Sequence, residues 1–171
     1  YGSPTTDSLE EGMTLLEGGA GTVLTSSGLS AIAVALQACL KSGDHLLLTD
    51  SCYAPTRKLC DGLMSRFGVT VEYYDPHIGS GIADLVRPET AVIFREWPGS
   101  QTFEVQDVPA IVEVARKHGI VTMIDNTWAT PLFFRPLDFG VDISIHAGTK
   151  YVGGHSDVML GTVTANEKTW P

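Results

Sequence analysis

Val108-Pro109-Ala110-Ile111-Val112-Glu113-Val114-Ala115-Arg116-Lys117-His118-Gly119-Ile120-Val121-Thr122-Met123-Ile124-Asp125 carries the fold class. Residues 108–118 place apolar side chains at helical spacing between charged ones, and Gly119 ends that helix as a left-handed cap can. Ile120 to Ile124 then forms a short apolar run, a strand with no polar face, ending on Asp125. A helix handing over through one glycine to a strand that is apolar on both sides is the unit of a parallel sheet covered on both faces.

The same rhythm extends outward. Upstream, residues 8–16 read as a short helix ending at Gly18-Gly19. Residues 21–25 are a brief apolar stretch entering Ser26-Ser27-Gly28, and 29–40 an Ala/Leu-rich helix closed by Lys41-Ser42-Gly43. Residues 45–49 predict a buried strand, 56–67 a helix capped by Gly68, and 69–74 and 91–94 two more strands. Downstream, strands are expected over 142–145 and 162–164, and Glu167-Lys168-Thr169-Trp170 reads as the opening of another helix. With no repeat and no Gly/Ser/Pro linker, residues 1–171 are one α/β domain with a mostly parallel sheet covered by helices, expected to be part of something larger.

Composition sets outer limits. With 171 residues, 43% hydrophobic and 18% charged, a substantial core is available. A net charge of −9 leaves no basic stripe for nucleic acid. No apolar run approaches the ~20 residues that span a bilayer, so no membrane association is expected. The first residues show neither the basic nor the apolar segment of a signal peptide. Cys39, Cys52 and Cys60 are odd in number and form no C-x-x-C pair, so reduced thiols and a cytoplasmic location are expected, with no zinc site.

Ligands of such sheets bind beyond the carboxyl ends of the strands. Ser26-Ser27-Gly28-Leu29 opens a helix, where free N–H groups and the helix dipole suit a phosphate, although an ordinary serine cap reads the same way. No G-x-G-x-x-G or G-x-x-x-x-G-K-[ST] occurs, so nicotinamide and nucleoside triphosphate are poorly supported. Asp125 can cap its own loop, or face a pyridine nitrogen and keep it protonated. Lys150, in His146-Ala147-Gly148-Thr149-Lys150, follows a strand inside a Gly-, Thr- and His-rich loop. A partly buried polar loop there can lower its pKa so that a neutral amine attacks a carbonyl. Tyr53 can cover a core edge or stack on a flat ring, its hydroxyl free for proton transfer. His155 and Asp157 organise their loop rather than bind metal, because no third ligand is suitably spaced. Trp128 reads as packing at the site wall, and Met123 as core.

Taken together, Leu15-Leu16-Glu17-Gly18-Gly19, Ser27-Gly28, Tyr53-Ala54-Pro55-Thr56, Glu96-Trp97-Pro98-Gly99-Ser100, Ile124-Asp125-Asn126-Thr127-Trp128 and Thr149-Lys150-Tyr151 with Gly154-His155-Ser156-Asp157 resemble the Cys/Met-metabolism family of pyridoxal-phosphate (PLP) enzymes. The likeness is greatest to its cystathionine β-lyase branch. It implies the large PLP-binding domain of an aspartate-aminotransferase-like, fold-type-I enzyme, without the C-terminal small domain. Carried over, it makes Lys150 the lysine bonded to the cofactor aldehyde, Asp125 the partner of the pyridine nitrogen and Tyr53 the stacking residue. Gly28 and Leu29 offer N–H groups and Thr149 its hydroxyl to the phosphate, and Ser100 and Tyr53 face the substrate. Ala147-Gly148 before Thr149-Lys150, and Ser100 where many members have Asn, point to the β-lyases. The family's Tyr-x-Arg, which reaches a neighbouring subunit's phosphate, is not matched by Tyr1-Gly2-Ser3.

The resemblance implies α,β-elimination from cystathionine, giving homocysteine, pyruvate and ammonia, in a homotetramer whose dimers share active sites. A γ-elimination or γ-replacement enzyme on the same scaffold, or a non-catalytic PLP-binding fragment, is the alternative.

Overall fold

The computed structural model describes residues 2–170, so the question raised by Tyr1 lies outside the described residues. Helix α1 (Pro4–Glu17) starts earlier than residue 8 because Ser3 and Thr6 form a reciprocal capping box around Pro4. It ends at Gly18, whose φ of 69° places it in the left-handed region. Strand β1 (Gly21–Thr25) leads to α2 (Gly28–Cys39), capped by the Ser27 hydroxyl accepting from Ser30 N–H at 3.1 Å. Then come β2 (His45–Thr49) and α3 (Ala54–Leu59), which continues as a π-helical turn over Cys60–Met64. Strand β3 (Thr70–Tyr74), a 3-10 stretch (Gly79–Leu85) and β4 (Thr90–Glu96) follow.

Helix α4 (Val108–His118), capped by Asp107 and ended by Gly119, passes into β5 (Val121–Asp125) as expected. A short α5 (Thr130–Phe133), a 3-10 turn (Pro136–Phe139), β6 (Ile143–His146) and β7 (Gly161–Ala165) complete the order. Residues 167–169 form a turn closed by Asn166, not the helix expected there: Asn166 Oδ1 accepts from Lys168 N–H and Thr169 N–H, satisfying the donors locally.

The seven strands lie in the order β1-β7-β6-β5-β4-β2-β3. Strands β2 to β6 pair in parallel, and β7 runs antiparallel to both β1 and β6. One face is packed by α2 and α3 through Ala31, Ile32, Leu36 and Cys60 against Leu46, Leu48, Phe94, Met123 and Ile145. On the other, Ile111, Val114 and Ala115 of α4 cover Leu47 and Ile93. Helix α1 lies over a polar part of that second face. There Thr14 Oγ1 donates to Thr22 Oγ1 at 2.8 Å, and Thr22 and Thr164 hydroxyls pair at 2.8 Å. No helix of the described residues is long and apolar enough to cross a membrane.

Candidate active site

Because β4, β5 and β6 are parallel neighbours, their last residues reach one edge together. Glu96 lies opposite Asp125 in register, and Asp125 opposite Ile145, so the loops following each strand open on the same side.

Asp125 is 8% exposed. Its Oδ1 accepts from Thr127 N–H at 3.0 Å and from the Thr127 hydroxyl at 2.5 Å, while Oδ2 accepts no hydrogen bond among the described residues. Burial pushes its carboxyl above the usual aspartate range, opposed by the two Thr127 bonds and by the nearby His146. Asp125 therefore does cap its own loop, and still has one oxygen to give.

Thr127 carries the connection onward, since its Oγ1 also accepts from Ala147 N–H at 2.8 Å. Ala147 is in turn the point against which α2 is set. A Cβ on Gly28 would lie 2.5 Å from Ala147 Cβ, a separation that real side chains do not tolerate, so only glycine lets the helix start here. The N–H groups of Gly28 and Leu29 donate to nothing among the described residues, as the first turn of a helix dictates, and are open at this junction. Lys150 N–H closes a turn onto Ala147 C=O at 2.9 Å. Three elements from distant parts of the chain thus meet on one alanine.

Lys150 departs from expectation in one respect: its side chain is exposed rather than partly buried, because Gly153 and Gly154 curl the loop back onto Gly148 and Lys150 and leave the amine outside. Thr149 departs in another. Its hydroxyl donates to Leu160 C=O at 3.1 Å and accepts from Leu160 N–H at 2.9 Å, pairing the backbone where β7 is about to begin. It has no free proton for a phosphate unless the Leu160 bond is released.

Tyr53 is half exposed at 49%, and its backbone N–H donates to Glu96 Oε2 at 2.6 Å. Ser100 donates its hydroxyl to Glu96 Oε1, and its N–H to Ser51 C=O at 2.8 Å. Burial pushes the neighbouring Cys52 thiol up to about 12, so it stays protonated and unreactive at neutral pH. Trp128 stands in a row with Phe103 and Tyr151, ring centroids 5.4 Å and 5.8 Å away. His155 is exposed with one long contact to Gly153 C=O at 3.4 Å, and no cluster of metal-ligating side chains occurs among the described residues. Met123 is fully buried.

Two acids were not singled out from the sequence. Glu96 was visible as a polar strand end, but its bonds to Tyr53 and Ser100 were not. Glu17 is 0% exposed: its Oε1 binds His146 Nε2 and accepts from the Ser144 hydroxyl at 3.0 Å, while Oε2 has no partner.

An open helix N-terminus, a carboxylate with a spare oxygen and a free amine at adjoining strand ends define a class, the α/β proteins that hold a phosphorylated ligand beyond the sheet. Comparison with known proteins narrows it, and the chain belongs to the Cys/Met metabolism family of PLP-dependent enzymes, whose pattern matches residues 1–171. A putative cystathionine β-lyase of Saccharomyces cerevisiae is 62% identical over 170 residues, covering 99% of this chain and 50% of the relative. The cystathionine β-lyase of Escherichia coli is 46% identical over 171 residues, covering 99% and 43%. The crystal structure of cystathionine γ-lyase from Lactobacillus plantarum superposes with a TM-score of 0.94 at 33% identity, covering 98% of this chain and 44% of that one. The sheet is thus the fold-type-I sheet of PLP enzymes, and the chain spans about half the length of these relatives or less.

Proposed function

We propose that this chain is the cofactor-holding part of a carbon–sulfur lyase that cleaves cystathionine by α,β-elimination to homocysteine, pyruvate and ammonia. The observation that carries it is the meeting on Ala147, which joins Asp125 through Thr127, the open N–H groups of α2 through Gly28, and Lys150 through its turn.

These residues fit pyridoxal phosphate. Gly28 and Leu29 N–H groups would hold the phosphate, and Asp125 Oδ2 would face the ring nitrogen, whose positive charge offsets the cost of a buried carboxylate. The exposed Lys150 amine would bond the aldehyde. When bound, the cofactor supplies an electron sink for charge left at the substrate Cα. The Lys150 amine, when free, would remove the substrate Cα proton and return a proton to the departing thiolate. Tyr53 would flank the ring and would take a proton from the incoming amine. Ser100, tied to Glu96, faces the substrate. Thr149 serves the phosphate only after giving up Leu160, so its first duty is to hold the lysine loop.

Homologues named cystathionine β-lyase, and Ser100 in place of the family's frequent Asn, support the β reading. The structural likeness to a γ-lyase supports the sister reaction as the second reading. Leu15 (73% exposed), Leu132 (81%) and Phe133 (83%) line an apolar cleft with Trp97, Trp128 and Tyr151. This supports burial of that face by further protein, as in a homotetramer with shared sites. Incubating the PLP-loaded protein with cystathionine tests the reaction: pyruvate is expected, 2-oxobutyrate would favour γ-elimination, and the absence of both products would contradict the lyase reading.

A further inference from the structure

Glu96 ends β4 beside Asp125 and faces the α2 side of the sheet, the side on which the open helix N-terminus lies. Its two oxygens are used by two different loops. Oε2 takes the Tyr53 N–H at 2.6 Å, and Oε1 takes the Ser100 hydroxyl. The same loops touch again where Ser100 N–H meets Ser51 C=O at 2.8 Å, and where Gly99 packs so close to Ser51 that a Cβ would sit 2.5 Å from its hydroxyl.

We propose that Glu96 is a positioning residue: one carboxylate ties the backbone at Tyr53 to the hydroxyl of Ser100, and its charge state is linked to that of Asp125 beside it. The linkage to a ligand rests on the cofactor reading above; the tie itself does not.

The charged form of Glu96 is favoured by both hydrogen bonds, which are of the charge-assisted kind. It is opposed first by burial and then by Asp125, and the balance pushes the carboxyl from 4.5 up to about 7. The other titratable groups facing this cluster are Cys52 in the loop after β2, with Asp50 and Arg57 beyond it. Glu104 lies across Gly99, and His146 of β6 acts on Asp125. A proton on Glu96 Oε2 breaks the bond from Tyr53 N–H, whereas one on Oε1 only reverses the bond to the Ser100 hydroxyl, and either one removes the charge that strengthens both ties. A positive charge set against Asp125, such as a protonated ring nitrogen, removes the repulsion, so Glu96 ionises and both loops tighten. Loading and loop closure are therefore coupled through one proton.

The fold holds the Glu96 proton more tightly than the unfolded chain does, so this group's contribution to stability is complete below 4.5 and lost as pH rises through about 7.

The test is the Tyr53 amide resonance of the 15N-labelled, cofactor-free protein, followed from about pH 5 to about pH 9. In wild type it moves with a midpoint well above that of an ordinary glutamate. In Glu96→Gln, which keeps the side chain's shape, it stays flat, and in Ser100→Ala, which removes one bond to the charged form, the midpoint rises. Adding PLP lowers the wild-type midpoint. A flat wild-type resonance, or one that titrates equally in Glu96→Gln, overturns the tie. An unchanged midpoint in a protein that demonstrably traps PLP overturns the linkage. Wild type that traps no PLP removes the cofactor reading while the cofactor-free titration still decides the tie.

Discussion

Glu17 shows how much a single side chain depends on neighbours far away in sequence. Its carboxylate is buried beneath α1 and shared between His146 and Ser144, more than 120 residues on. Truncating it leaves a buried imidazole and hydroxyl without their acceptor, and each buried polar group left unsatisfied costs about 1–3 kcal/mol. Glu17→Ala is therefore expected to lower the urea midpoint strongly, and a change near zero would mean the pair is not holding α1 down. By residue type alone, leucines favour the core and a glutamate the surface. The structure reverses this, with Leu15 and Leu16 mostly exposed and Glu17 inside, because the sheet surface under α1 is lined by Thr22, Thr164, Ser144 and His146. That surface exists only once β7 has slotted between β1 and β6, and no local spacing announces it. Asp125 and Lys150 could be singled out because each follows an apolar strand. Glu96 stood at a strand end too, but its partners Tyr53 and Ser100 come from other loops.

At the scale of elements, the join between α2 and the lysine loop is a tight contact of the site. Gly28→Ala would put a methyl 2.5 Å from Ala147 Cβ, and overpacking of this kind costs about 1–3 kcal/mol. The variant is expected to melt lower and to bind PLP more weakly than wild type, because the open N–H groups are pushed off the junction. An unchanged melting temperature and affinity would show that the two segments are not in contact. Most elements were legible, with α4 and β2 found at their read boundaries and β5 displaced by one residue. Helix α3 was not fully legible: it begins at Ala54 and loosens into a π turn over Cys60–Met64, and Gly62 inside that turn does not by itself announce the change of winding. The direction of β7 was equally hidden, since an apolar strand looks the same run either way.

Among the described residues the core has two faces, and Arg95 is the group most at odds with it. Arg95 is 0% exposed, its three guanidinium nitrogens have no hydrogen-bond partner, and burial holds its pKa below the ordinary arginine range. It sits on the face opposite Asp125, between Ile124 and the end of β2, and the cofactor reading gives it no role. Arg95→Met is expected to raise stability, on the order of 1–4 kcal/mol by analogy with buried charges replaced by apolar residues, read from the denaturant midpoint. A loss of similar size would show that the charge is paired in solution. On the other face Lys150 is proposed to bond the aldehyde of a cofactor cradled by α2 and Asp125. Borohydride reduction of the PLP-treated protein, followed by mass analysis of the labelled peptide, tests this most directly. Wild type is predicted to turn yellow and to retain the cofactor on the peptide carrying Lys150, with none retained by Lys150→Ala. A colourless wild type, or equal retention in the variant, would contradict it.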